Sequence, residues 1–239
     1  MTDTVRTHLI QGLTALGLAP APEAVDRLAL YCDRLLEKNE VMNLTAITEP
    51  HDVVTLHFLD SAALLVHADL RGKRVIDVGT GGGFPGLVLK ILDPTIQLTL
   101  LDTLGKRIRW LDELCQELGL SDVECLKGRA EEVSRQKGYR DRYDAAVSRA
   151  VASMTMLAEL CLPYVRPGGV FLAMKSSQSD EELAAARPML TALGGTALSV
   201  TDYLLPGTEV YHRLAAVRKS QPTPRLYPRK WTKIKEGKI

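Results

Sequence analysis

The sequence predicts an α/β fold: a mostly parallel sheet with an antiparallel last strand, helices on both faces and an N-terminal helical extension. Three observations carry this expectation. From residue 72 onward short apolar stretches alternate with helical ones, the pattern of a parallel sheet covered on both sides. Val75-Ile76-Asp77-Val78-Gly79-Thr80-Gly81-Gly82-Gly83-Phe84-Pro85-Gly86 reads as a strand, an acid near its end and a glycine-dense turn into a helix. Two last extended stretches, about 196–204 and 210–218, are joined through Pro206-Gly207 and read as a closing hairpin.

Taken in order, residues 3–17 carry Val5, Leu9, Leu13 and Leu16 near helical spacing, and Ala19-Pro20-Ala21-Pro22 breaks that helix. A longer helix begins near Glu23, with Val25, Leu28, Ala29, Cys32, Leu35 and Leu36 on one stripe. Asn43-Leu44-Thr45 marks a turn. Thr48 is then the expected N-cap of a helix with Pro50 in its first turn. That helix carries His57, Asp60 and Ser61 on one face, either to shape a pocket or as an interhelical polar network. Strands follow at 75–78, 97–101 (ending in Asp102), 123–126, 143–147 and, after Arg166-Pro167-Gly168-Gly169, 170–174. Helices are expected over Lys106–Leu118, through Leu157 and Leu160, and over Asp180–Leu193. The chain divides into a helical extension (1–70), a sheet domain (71–220) and a basic tail (221–239).

Composition suits a globular chain with a substantial core: 239 residues, 46% apolar and 25% charged. No apolar run approaches the roughly 20 residues of a membrane helix. Met1-Thr2-Asp3-Thr4 lacks the profile of a secretory leader. Cys32, Cys115, Cys125 and Cys161 are scattered without a Cys-x-x-Cys, as buried thiols of a cytoplasmic protein would be. His51 and His57 stand six apart, which is not the i, i+4 spacing of a helical metal pair, so no metal is expected. Net charge is +1, yet residues 218–239 hold eight Lys/Arg and one acid. An acidic body with a basic tail suggests a polyanionic partner.

The glycine turn admits two cofactor readings. Gly81-x-Gly83-x-x-Gly86 fits a dinucleotide fingerprint. A carboxylate at Asp77 would repel a pyrophosphate but suits the ammonium and sulfonium of S-adenosylmethionine, by roughly 1–4 kcal/mol at a few Å. Asp102, ending the second strand, can accept both ribose hydroxyls of either cofactor.

The motifs Asn43-Leu44-Thr45, His57-Phe58-x-Asp60-Ser61, Asp77-x-Gly79-x-Gly81-x-Gly83-Phe84-Pro85-Gly86, Lys106-Arg107, Arg129-Ala130-Glu131-Glu132, Ser148-Arg149-Ala150, Leu157 with Leu160, Lys175 and Pro228-Arg229-Lys230 extend over the whole chain. Together they resemble the ribosomal RNA small subunit methyltransferase G (GidB) family. The resemblance implies a Rossmann-like S-adenosylmethionine methyltransferase sheet and methylation of N7 of one guanine in 16S rRNA of the small ribosomal subunit. The chain is expected to act as a monomer. The chain departs from the family pattern at Lys175-Ser176, where Lys-Gly or Lys-Ala is common. It departs again at Trp231-Thr232-Lys233, which replaces a Gly/Pro-rich run. A cofactor-holding assembly factor without turnover, or a methyltransferase of another substrate, are the alternatives.

Guanine N7 carries no proton, so its methylation needs alignment and water exclusion rather than a general base. Gly79, Gly81 and Phe84, with Asp77 behind them, are expected on the methionine side of the cofactor, and Asp102 at the ribose. The resemblance puts Ala130 and Glu131 at the adenine, although Glu131 could equally favour a helix N-terminus. Arg149 is expected to position the guanine, or to clamp a phosphate or the cofactor, or to form a structural ion pair. Lys175, Arg225, Arg229 and Lys230 are expected to bind RNA, with Lys233, Lys235, Tyr227 and Trp231 beside them.

Overall fold

The computed structural model describes residues 1–149 and 152–237; Ala150 of the Ser148-Arg149-Ala150 match lies outside them. Seven strands form one sheet in the order β3-β2-β1-β4-β5-β7-β6. They are β1 (Arg74–Val78), β2 (Gln97–Asp102), β3 (Val123–Lys127), β4 (Tyr143–Arg149), β5 (Val165–Ser176), β6 (Gly195–Leu204) and β7 (Tyr211–Lys219). Only β7 runs against its neighbours β5 and β6; the pairs from β3 across to β5 are parallel. Chain order reverses at β1, which pairs with β2 on one side and β4 on the other. A ligand crevice belongs at such a reversal, outside the carboxyl ends of the strands.

The helical extension comprises α1 (Asp3–Ala15), α2 (Pro22–Met42), α3 (Pro50–Val53), a π-helical turn (Val54–Leu59) and α4 (Asp60–His67). It is not a separate unit. Leu9, Leu13, Leu28, Leu35 and Phe58 share a core with Val75, Leu87, Leu100 and Leu172 of the sheet layer. α5 (Gly86–Leu92) and α6 (Gly105–Glu117) belong to that layer. On the other face α8 (Met154–Cys161) and α9 (Asp180–Ala192) pack with Ile76, Ala146, Phe171 and Val217, and Tyr227 of the tail joins them. α7 (Ala130–Val133) follows β3, and α10 (Trp231–Lys235) ends the described chain.

Three local expectations change. Glu49, not Thr48, stands at the N-cap of α3, and no side-chain bond caps that helix; Pro50 at the first position already fixes the entry. The helix from Pro50 to His67 is interrupted by the π-turn, which no periodicity signalled. β5 begins at Val165, and Arg166 to Gly169 bulge out of it where the register jumps from Tyr143↔Val165 to Ala145↔Val170. Asn43 does end α2 in the left-handed region, at φ 49°, and Asn39 Oδ1 accepts the Leu44 and Thr45 N–H groups at 2.7 and 2.9 Å.

Candidate active site

The glycine turn is held from three sides. Its own end is stitched to β2, with Gly79 and Thr80 N–H donating to the Leu101 carbonyl. From the helical extension, the Tyr31 hydroxyl donates to the Gly82 carbonyl at 2.5 Å. From beneath, Asp77 Oδ2 accepts the Thr80 hydroxyl at 2.7 Å and the Gly86 N–H at 2.9 Å. Gly79, at φ +76°, is exposed, and a Cβ there would meet nothing within 4 Å. Its backbone is therefore open to close approach by a ligand, as the cofactor expectation requires.

Asp77 is corrected by this geometry. It is fully buried, its Oδ1 has no partner, and burial pushes its carboxyl up to about 7 against the pull of its two hydrogen bonds. Sealed under the turn, the carboxyl does not reach a ligand lying on it. It shapes the turn instead. Asp102 is buried at the end of β2, against the turn: Oδ2 accepts the Gly81 N–H at 3.1 Å and Oδ1 the Leu104 N–H at 2.8 Å. Ala130 and Glu131 open α7 directly after β3, whose Lys127 is in register with Asp102. Glu131 Oε1 accepts from Arg129 Nε at 2.7 Å, and the Ala130 carbonyl accepts the Tyr164 hydroxyl.

Arg149 leaves the end of β4 and meets the helical extension. Its guanidinium donates to the Leu56 carbonyl (3.0 Å), Asp60 Oδ2 (3.2 Å) and His57 Nδ1 (2.9 Å), and lies 4.8 Å over the Phe84 ring. His57 stacks on Phe84 at 4.4 Å and bonds Thr45 Oγ1 through Nε2 at 2.7 Å. Burial, then the charge of Arg149, pushes His57 down to about 4, so it is neutral with both ring nitrogens engaged. Asp60 is the hub. Its Oδ1 accepts the Tyr203 hydroxyl at 2.8 Å and His212 Nδ1 at 2.7 Å. Burial alone would raise the Asp60 carboxyl, but His212 and Arg149 outweigh it and hold it below the usual range. The bond to Asp60 correspondingly raises His212 against its burial. Ser61 is fully buried and donates back to the His57 carbonyl.

Arg149 also lines a cleft of about 670 Å³, with His57, Asp60, Met174, Lys175, Glu182 and His212 among its walls. This cleft lies over the ends of β4 and β5, beside the glycine turn. Lys175 is not a bare strand-end lysine: it pairs with Glu182 at 2.6 Å and donates to the Ala152 carbonyl at 2.9 Å.

The tail is docked, which the charge count did not foresee. Arg229 forks the fully buried Glu159 of α8, with Nη2···Oε2 at 2.7 Å, and its own N–H donates to Oε1. Arg140 donates to the Tyr227, Thr223 and Pro224 carbonyls, and Arg135 to those of Leu226 and Pro228. Arg229, expected at the RNA, clamps the tail to α8. Lys219 is buried against Asp141 and two carbonyls and leaves the cationic surface as well. Arg225, Lys230, Lys233 and Lys235 remain exposed. Trp231 lies under Arg129, 5.6 Å from its guanidinium carbon to the ring centre.

A family model described as rRNA small subunit methyltransferase G matches residues 24–209. A relative named ribosomal RNA small subunit methyltransferase G, from Symbiobacterium thermophilum, is 46% identical over 231 residues, 94% of each chain. The chain belongs to the ribosomal RNA small subunit methyltransferase G family. A second relative of that name, from Alkaliphilus metalliredigens, is 45% identical over 223 residues, 93% of each chain. The fold is also that of a solved SAM dependent methyltransferase from Aquifex aeolicus, with TM-score 0.52 over 70% of this chain and 92% of that one, at 18% identity. S-adenosylmethionine is accordingly the cofactor of this chain, and the open approach to Gly79, with Asp102 held against the same turn, fits it.

Family motifs pointed to Arg149, Phe84, His57 and Asp60, which the fold brings together. They did not point to Tyr31, Glu159, Glu182, Tyr203 or His212, which reach the site or the tail from distant elements. For Glu182 a signal existed: Ser179 precedes it by three residues. Among the described residues no group of three or more His, Cys, Asp and Glu is placed to hold a metal, and no helix is long and apolar enough to cross a membrane.

Proposed function

We propose that this chain transfers a methyl group from S-adenosylmethionine to N7 of one guanine in 16S rRNA of the small ribosomal subunit. It does so in the cytoplasm and as a monomer. The observation that carries the reading is Arg149, which lies over Phe84 of the glycine turn and faces the cleft at the same time. The cofactor supplies an electrophilic methyl group on a sulfonium. The chain supplies position: Asp77 and Tyr31 fix the turn, Asp102 receives ribose hydroxyls, and Asp60 with His57 holds the Arg149 fork toward the cleft. Guanine N7 offers a lone pair and no proton, which agrees with a His57 held neutral and fully engaged. N7 lies in the narrow groove of an RNA helix, so the base must be exposed or flipped to enter. The exposed cations Arg225, Lys230, Lys233 and Lys235 would meet phosphate.

The test is transfer of radiolabelled methyl to small-subunit particles from cells lacking the gene, followed by identification of the nucleoside by mass. Label in 7-methylguanosine, lost in Arg149→Ala and Asp102→Ala, is the expected result. Cofactor binding without label in any nucleoside would favour an assembly factor and overturn the enzyme reading.

A further inference from the structure

The first turn of α9 carries a pattern that the fold leaves unused. Ser179-Asp180-Glu181-Glu182 has the spacing of a capping box, in which the serine oxygen takes the N–H three residues on and the glutamate returns to the serine N–H. Neither bond forms. Ser179 sits at the N-cap without a side-chain cap bond, and its Oγ is buried with no hydrogen-bond partner. Glu182 turns away: Oε1 accepts from Lys175 Nζ and from the Met154 N–H. Among the described residues none hydrogen-bonds Glu182 Oε2. Both residues line the cleft that Arg149 lines.

A hydroxyl without a partner and an open carboxylate oxygen, one helical turn apart, offer a donor and an acceptor. Guanine presents the complement on one edge: O6 accepts and the adjoining N1–H donates. Adenine presents the reverse there, an amine that donates and an N1 that accepts. We propose that Ser179 and Glu182 are the base-selecting wall of the cleft, with Glu182 Oε2 accepting guanine N1–H and Ser179 Oγ donating to O6. Gripped by that edge, the base keeps N7 free on the adjoining one. Lys175 and the Met154 N–H fix the carboxylate so that Oε2 is the oxygen that faces the base. This inference rests on the guanine reading given under Proposed function.

The full chain is assayed for methyl transfer and cofactor affinity on small-subunit RNA carrying guanine, or adenine, at the nucleotide that the unchanged chain methylates. In Glu182→Gln the oxygen stays with the Met154 N–H and the amide N–H₂ turns to the base. Transfer to guanine RNA should then fall by about 100-fold and the guanine-over-adenine ratio by at least about 30-fold, with cofactor affinity unchanged. Ser179→Ala should lower the ratio by about 10-fold. Lys175→Met removes the ammonium but keeps the carboxylate and its bond from the Met154 N–H, and should lower the ratio by less than Glu182→Gln does. An unchanged ratio in Glu182→Gln, with an active unchanged chain, overturns the inference. If Glu182→Gln disturbs cofactor binding, the Ser179→Ala ratio decides in its place. No transfer by the unchanged chain overturns the functional reading itself, and this inference with it.

Discussion

Arg149 is held by four different groups, and its fork geometry lets it meet them at once. An ammonium in its place reaches one or two of them and does not lie flat on Phe84. Arg149→Lys should therefore lower kcat/KM for rRNA by about 100-fold while leaving the cofactor Kd within about threefold, as measured by transfer and by calorimetry. His57 gives a second prediction, in stability. Its folded value of about 4 lies below the roughly 6.5 of an unfolded histidine. Between those values the unfolded chain binds the extra proton, so this contribution is complete above about pH 6.5 and is lost as pH falls toward 4. Between pH 7 and pH 5 the native chain should lose about 2 kcal/mol more than His57→Gln in urea unfolding. Equal losses would show that His57 does not titrate as its burial demands.

At the scale of elements, the tail and the glycine turn are each set by one close fit. Arg229→Ala leaves the buried Glu159 carboxylate without its counter-charge, with only the backbone N–H of residue 229 as donor, and should destabilise the chain by about 3–5 kcal/mol in denaturant while exposing the tail to trypsin. Arg225→Ala, at an exposed position, should do neither. In the turn, Gly83 has φ +102° and a Cβ there would lie 2.6 Å from the Tyr31 hydroxyl and 3.1 Å from Leu111. Gly83→Ala should destabilise by about 1–3 kcal/mol and weaken cofactor binding, because the turn must move off the α2 tyrosine. Unchanged cofactor affinity would mean that Tyr31 does not register the turn.

For the molecule as a whole, what could be read in advance is what is local in sequence. The alternation of strands and helices, the glycine turn and the hairpin each announce themselves within a dozen residues. The hub does not: Asp60 meets Tyr203 and His212 at separations of 143 and 152 residues, and Glu159 meets Arg229 at 70. No periodicity reports such meetings. The charge count misled for the same reason, since Lys219 is buried and Arg229 is taken up by Glu159. Ser179 and Glu182 show a further limit, because a pattern that reads as a cap is turned outward once β5 supplies Lys175. The cations left outside carry a prediction of their own. Replacing Lys230 and Lys235 together by alanine should reduce the slope of log K against log salt for rRNA binding by about 1.4, with cofactor affinity unaltered.

The joining of Asp60 to His212 also sets an order in time. A chain is made from its N-terminus, so α4 emerges early and β7 among the last elements. Until β7 has entered the sheet, Asp60 lacks His212 and Arg149 is held by an incomplete hub. A member of this ribosomal RNA methyltransferase family thus cannot complete its Arg149 hub while most of it is still a nascent chain on a ribosome.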